Sequence, residues 1–323
     1  MNTLNSVSVL VPARNEEGTL PTTLPTVLRA ASRLPCPTEV VVIAPSSSPV
    51  HTAPPVSDPM LRWVPTVEPG KFRALQTGAA AAGGHVLVLI DADVVVEPNA
   101  FAHLLRPMIS SYADIVAGRI DVLRQARTPM QRLLERWSSV SMTAWDLFRK
   151  AQPEFLWALP GAIYAMRRQF LPDSLLVPLV DDASVGLQAI EKGAAFAYAP
   201  DALVRTPAPS TYAHWMRQKF RSRRGWAGLA QLRQAEVAAL ERTFRRYLAI
   251  ASTSEPTSWL MHAQDRLQRL TARASIALSP SASGSWKPTR ADVEWPLLRP
   301  PRGQRNDQIS DRLDIEEACD DAV

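Results

Sequence analysis

The chain has 323 residues, 46% of them hydrophobic, with a net charge of +5 and a pI near 9.5, which is enough for one large core or two small ones. No window reaches the ~18 uninterrupted apolar residues of a bilayer span, and the first residues run almost directly into a strand pattern without a basic-then-apolar leader, so a cytoplasmic protein is expected. Cys36 and Cys319 stand far apart with no C-x-x-C or Cys/His spacing, which speaks against a zinc site or a disulfide framework; the basic excess suits an anionic partner, whether nucleotide, membrane surface or nucleic acid, without choosing among them.

Val7 to Val11 is short and β-rich and is closed by Pro12, so it reads as a buried first strand with a loop from Ala13 to Gly18. Thr19 to Arg33 carries Leu20, Leu24, Val27, Leu28 and Ala31 at helical spacing, and Pro21 and Pro25 are expected to confine the regular part to its second half. Glu39 to Ala44 predicts a second strand, Pro45 to Pro59 a surface loop, and Leu61 to Val64 a short strand. A small-residue helix over Phe72 to Ala82 then leads through Gly83-Gly84 into the apolar run Val86 to Ile90. The rhythm is that of a mainly parallel sheet covered by helices.

After Pro98 a helix reaches about Ser110 and Ile115 to Val122 reads as a strand. Met130 to Lys150 spaces Leu133, Leu134, Trp137, Val140, Met142, Trp145 and Phe148 as an amphipathic helix, whose aromatic face reads as core packing. Residues 155–170 and 175–200 supply further strand and helix, with a helix over Ala183 to Lys192 and Gly193 as its stop. Tyr212 to Leu240 reads as helix, basic on one side through Arg217, Lys219, Arg221, Arg223, Arg224 and Arg233. Ser252 to Ser258 and Leu278 to Ser285 look like linkers around an amphipathic segment, and 307–323 is acidic enough for a disordered tail.

Chemistry concentrates at Asp91-Ala92-Asp93, directly after the run Val86 to Ile90. In an open α/β sheet ligands dock outside the carboxyl ends of buried strands. Two acids one residue apart at such an exit can hold a divalent cation, Mn2+ or Mg2+, that itself grips a diphosphate. The plain alternative is a solvated loop.

Val11-Pro12-Ala13-Arg14-Asn15-Glu16-Glu17, Gly70-Lys71 with Ala74-Leu75, and Asp91-Ala92-Asp93 together resemble the nucleotide-binding half of the family 2 glycosyltransferases. Pro160-Gly161-Ala162 with Arg167-Arg168 looks like that family's acceptor-side loop, Val180-Asp181-Asp182 like its Asp-Asp segment, and Gln218-Lys219-Phe220-Arg221 like the start of its Q-x-x-R-W motif, with Gly225 also in place. The resemblance covers residues 6 to about 228. It implies a GT-A fold of the α/β class, a mainly parallel open sheet flanked by helices with a helical C-terminal extension. The expected layout is a catalytic domain over 1–235, split into a nucleotide-sugar half (1–98) and an acceptor half (99–235), then a helical extension with linkers (236–285) and a tail (286–323).

The implied activity is transfer of one sugar, with inversion, from a nucleotide-diphosphate sugar to a hydroxylated acceptor, small or lipid. Asp182 would be the base, Asp93 and Asp91 would hold the cation, and Pro12, Ala13, Glu16 and Lys71 would border the donor. Gly161, Asp181, Gln218 and Arg221 would border the acceptor and the diphosphate. On the residues alone, Asp181 and Asp182 also suit a helix start, Lys71 a turn after Gly70, and Arg221 a solvated basic face.

Two departures stand out. The family's acidic stretch after the second strand is replaced by Ala44-Pro45-Ser46-Ser47-Ser48-Pro49, and Ser222 stands where the motif has tryptophan. The first keeps open a non-catalytic relative that binds a nucleotide sugar or a protein; the second points to single transfer rather than polymerisation. A sugar nucleotidyltransferase would need a glycine-rich basic loop after the first strand, which Pro12 to Gly18 lacks, and the arginine-rich helix matches no nucleic-acid module. Arg242, Arg245 and Arg246 beside Phe244, Tyr247, Leu248, Ile250 and Trp259-Leu260-Met261 suit either an interfacial helix on the inner face of the cell membrane or a helix packed on the catalytic domain.

Overall fold

The computed structural model describes residues 6–67, 70–253 and 255. Four strands, β1 (Val7–Pro12), β2 (Thr38–Pro45), β3 (Leu61–Thr66) and β4 (Val86–Ile90), run parallel on one side of an eight-stranded sheet. The sheet continues with β5 (Val95–Val96), β6 (Ile115–Leu123), β7 (Ile163–Arg167) and β8 (Phe196–Pro207), in the order β3-β2-β1-β4-β7-β6-β8-β5. β7 is antiparallel to both neighbours, β4 and β6. The sheet is open and covered by helices on both faces, as expected for the α/β class.

Strand periodicity sorts the two cores. Val7, Val9, Val11, Val40, Val42, Val86, Val88 and Ile90 face one layer, containing α1 (Leu20–Ala31) and α3 (Ala100–Ile109). Leu10, Val41, Ile43, Leu87 and Leu89 face the other, with α2 (Lys71–Ala81) and α5 (Asp181–Glu191). Strands buried on both faces read as near-continuous apolar runs, which the runs after Ser6 and His85 supply, the one polar residue, Ser8, donating its hydroxyl to Glu39 Oε1 at 2.7 Å. Pro65 is tolerated in β3 because that strand is the sheet edge.

The helix over Leu20–Ala31 includes both prolines, contrary to the expectation that they confine it to its second half. Pro21 lies in the first turn, where its missing N–H has no helical partner in any case, and Pro25 removes one internal bond. Full burial of Leu20, Leu24 and Val27 against the sheet outweighs that loss. A 3-10 turn over Pro49–His51 interrupts the expected surface loop. The helix of the Asp-Asp segment starts at Asp181, two residues before the expected Ala183, and Gly193 follows it at φ +77°.

α4 (Pro129–Ala151), α6 (Tyr212–Leu232) and α7 (Gln234–Ser252) form a helical layer with its own aromatic core. The expected single helix over 212–240 is broken at Arg233, which takes φ −137° and ψ 61°. Val237 and Leu240 can then turn back into the core, while Arg233 ion-pairs with Glu191 of α5. Phe244, Tyr247 and Leu248 of α7 pack on this layer, Phe244 stacking on Trp145 at 4.2 Å, while Arg242, Arg245 and Arg246 stay exposed. Among the described residues no helix is long and apolar enough to cross a membrane. Trp259-Leu260-Met261, the Leu278 to Ser285 linker, the acidic tail and Cys319 lie outside the described residues.

Candidate active site

The carboxyl ends of β1 and β4 open into a cleft of about 850 Å³. Asp91 and Asp93 follow β4 directly, and the ladder to β7 continues past the strand end, the Asp91 N–H donating to Ala162 O at 3.2 Å. Ala92 and Val94 turn inward and are buried, so the two acids are presented to the cleft. Asn15 takes the left-handed conformation at φ 56°, which an Asn side chain tolerates and which turns the chain after β1 toward β4. Thr19 then ties the two strand exits together: its hydroxyl lies 2.8 Å from Glu16 Oε2 and 2.9 Å from Ala92 O. Sequence reading missed Thr19, which looks like an ordinary helix N-cap but makes no side-chain cap bond.

Lys71 opens α2 after Gly70, whose φ of +117° is a glycine conformation. Its Nζ donates to Asp91 Oδ1 at 2.6 Å and to Gly161 O at 2.7 Å, so it neither closes a turn nor stands free for phosphate: it joins the two sides of the cleft. Burial works against the ammonium, but Asp91, Asp181 and Asp182 outweigh it and hold the Lys71 pKa above the usual lysine value.

Asp181 and Asp182 occupy the first turn of α5, and neither is its N-cap, a place taken by Val180. The Ala183 N–H donates to Asp182 Oδ1 at 2.8 Å. Burial first and the Asp181 charge second push the Asp182 carboxyl up to about 6, against the pull of Lys71, the Ala183 N–H and Arg149. A carboxylate in that range can accept a proton near neutral pH. Gly161 lies close under the carboxylate: a Cβ there would stand 2.9 Å from Asp182 Oδ2, so the Asp182 side chain would have to shift.

One cleft therefore gathers Pro12, Glu16, Lys71, Asp91, Asp93, Gly161, Asp181, Asp182, Gln218 and Arg221. Ala13 is not on its surface. It is buried in the core and extends the β1–β2 pairing through its N–H to Ile43 O at 2.8 Å. Arg167 and Arg168 lie at the far end of β7, where Arg167 pairs with Asp114 and Arg168 caps the carbonyls of Ala82 and Gly84, so the arginine part of the acceptor-loop resemblance is structural here. Gln218, Arg221, Ser222 and Trp226 share one face of α6, and Gly225 lets that helix lie on the turn at Leu179-Val180. Trp226 restores an indole to the wall one turn after Ser222.

The aromatic face of α4 is only partly core. Leu134, Trp137, Ala144 and Phe148 are buried, but Ser138, Met142, Trp145 and Arg149 form a second stripe along the cleft. Their spacing of 4, 3 and 4 residues is the signal that could have separated them.

A family described as glycosyltransferase like family 2 matches residues 5–225, more than half of the chain. The chain belongs to the family 2 glycosyltransferases. A probable glycosyltransferase YdaM of Bacillus subtilis is 27% identical over 250 residues, covering 70% of this chain and 56% of that protein, so the chain spans little more than half the length of this relative. Solved structures with a similar fold include glucosyl-3-phosphoglycerate synthase from Mycobacterium tuberculosis, at 20% identity with a TM-score of 0.49, covering 70% of this chain and 78% of that one. The mannosyltransferase PcManGT from Pyrobaculum calidifontis is 19% identical with a TM-score of 0.47, covering 86% of this chain and 76% of that one. In this family 2 glycosyltransferase Asp91 and Asp93 stand at the exit of β4 on the cleft surface, and among the described residues no group of three or more His, Cys, Asp or Glu gathers. Two carboxylates suit Mn2+ or Mg2+, which take substrate phosphate and water for the remaining positions.

Proposed function

We propose that the chain transfers one sugar, with inversion, from a nucleotide-diphosphate sugar to a hydroxylated acceptor. The observation that carries this reading is that Asp91, Asp93 and Asp182 line one cleft, with Lys71 bridging Asp91 to the Gly161 carbonyl between them. Asp182 takes the acceptor hydroxyl proton as that oxygen bonds to the anomeric carbon. The bond from that carbon to the diphosphate oxygen breaks on the opposite face, and the electron pair leaves with the diphosphate. One base suffices and no covalent intermediate forms. Asp93 and Asp91 would hold a divalent cation, Mn2+ or Mg2+, which would supply charge stabilisation to the departing diphosphate.

Arg221 and Gln218 border the diphosphate and the acceptor from α6, while Pro12 and Glu16 border the nucleoside side. Met142, Trp145 and Trp226 give the acceptor wall apolar surface suited to a small or a lipid acceptor. Exposed Arg242, Arg245 and Arg246 on α7 suit peripheral contact with anionic headgroups at the inner membrane face.

A second reading, a binding protein without turnover, is favoured by the second-strand exit, where Ala44 is buried and Ser46 bonds to Thr66 in place of the family's acids. Titration calorimetry with Mn2+ and a panel of nucleotide sugars separates the two. The transferase reading requires metal-dependent donor binding, lost in Asp93→Ala and Asp91→Ala, together with turnover once an acceptor is supplied. Donor affinity that is the same in Asp93→Ala, with and without metal, refutes the site.

A further inference from the structure

Arg149 lies in the last turn of α4, on the wall of the cleft, with 7% of its surface exposed. A guanidinium placed this deep ordinarily meets a carboxylate, because stripping its charge of water is costly. Here no carboxylate of the described residues lies within ion-pair distance of it. One NH2 group donates to Ala158 O at 3.2 Å, the guanidinium carbon lies 4.8 Å from the centre of the Trp145 ring, and Nε is sealed from water without a hydrogen-bond partner. Asp146, on the same cleft wall, is engaged by Lys150 Nζ at 2.9 Å and by the Tyr198 hydroxyl at 2.7 Å. Burial lowers the Arg149 pKa to about 10 against the attraction of Tyr198, Asp182 and Asp146, so the group is still a cation at neutral pH. Lys219, its Nζ 5.6 Å from the centre of the Trp215 ring, adds positive charge to the same cleft.

A fixed, buried cation short of its anion, on the wall of a binding cleft, is half of an anion site. We propose that Arg149 anchors an anionic group of the acceptor, a phosphate or carboxylate, while the acceptor hydroxyl lies at Asp182. This rests on the transferase reading above and adds the chemical class of the acceptor. Arg149 and Asp182 line the same cleft, so an acceptor with its anionic group and its hydroxyl on one compact unit spans both: a hydroxy acid, a phosphate ester or a glycerophospholipid headgroup.

The test uses the full chain saturated with Mn2+ and whichever nucleoside diphosphate of a panel binds, so that the donor's own phosphate positions are filled. Glycerol 3-phosphate and glycerol are then titrated calorimetrically. Glycerol 3-phosphate should bind at least tenfold more tightly than glycerol, Arg149→Met should remove most of that preference, and Arg149→Lys should keep part of it. If the preference shows only as flotation with phosphatidylglycerol over phosphatidylcholine vesicles, lost in Arg149→Met, the anchor stands and the source is a lipid headgroup. Equal binding of glycerol 3-phosphate and glycerol by the wild type, with no vesicle preference, overturns the proposal without any variant having to fold. So does a folded Arg149→Met chain that keeps the full preference, which would make the residue a packing element under Trp145. Failure of every nucleoside diphosphate to bind the wild type with Mn2+ overturns instead the transferase reading on which the anchor rests.

Discussion

Replacing Asp182 by asparagine should raise stability while removing turnover. The carboxyl is pushed from its ordinary 3.8 to about 6, chiefly by burial and by Asp181. At 1.36 kcal/mol for each pH unit that difference corresponds to about 3 kcal/mol, an upper bound because Asp182 keeps part of its surface in water. The folded chain binds this proton more tightly than the unfolded chain, so the carboxyl supports folding fully below 3.8 and withdraws that support as pH rises through about 6. An amide has no such dependence. The variant should therefore match the wild type at pH 3.5 and exceed it by ~1–3 kcal/mol at pH 7.5, a difference read from urea unfolding at several pH values. Turnover with saturating acceptor should fall by ~10²-fold or more, because the amide accepts no proton. An acid that merely complements the helix dipole predicts the opposite sign, a loss of ~0.3–1 kcal/mol. A variant less stable than the wild type at pH 7.5, or a difference that stays flat with pH, refutes the electrostatic account of the base.

The same group sets the pH profile: turnover should rise with pH through about 6, and Lys71→Met, which removes an opposing positive charge, should move that limb upward, as read from kcat against pH. A limb left in place by Lys71→Met would mean that the profile belongs to another residue. Gly161→Ala places a methyl 2.9 Å from Asp182 Oδ2 and should cost tenfold or more in kcat, with a thermal midpoint within a few degrees of wild type, checked by parallel kinetics and calorimetry. Gly186→Ala would drive a Cβ into the Trp157 carbonyl, so α5 must shift; a loss of ~2 kcal/mol or more is expected in urea unfolding.

The donor side was legible because its signals are local. Val7 to Val11 is apolar but for Ser8, Val86 to Ile90 is apolar at every position, and the acids at 91 and 93 follow directly, so strand, exit and chemistry read off one short stretch. The acceptor side was legible mainly through resemblance, since Gly161, Asp182 and Arg221 meet only after β7, α5 and α6 have packed. What escaped was set by tertiary contact. The break at Arg233 has no Gly or Pro to announce it, and it exists because Val237 and Leu240 find a place in the aromatic core. Arg167 and Arg168 fit a motif in spacing, but an antiparallel strand that begins at the site must end at the opposite end of the cleft-bearing sheet, beside the start of β4. The stripe from Ser138 to Arg149 was hidden beneath a stronger hydrophobic period on the same helix.

The β4–β7 ladder has a mechanical meaning. The cleft is not a gap between two bodies that swing about a hinge: Ile90 pairs with Ile163, and Asp91 is hydrogen-bonded to Ala162, so the cation-facing acids and the loop of Gly161 are stitched into one sheet. Opening them by rigid rotation would mean tearing backbone hydrogen bonds in the middle of the core. Any adjustment of the cleft to its ligands is then left to the walls that carry no ladder, the turn from Ser174 to Val180 and the run Ala208-Pro209 beyond β8.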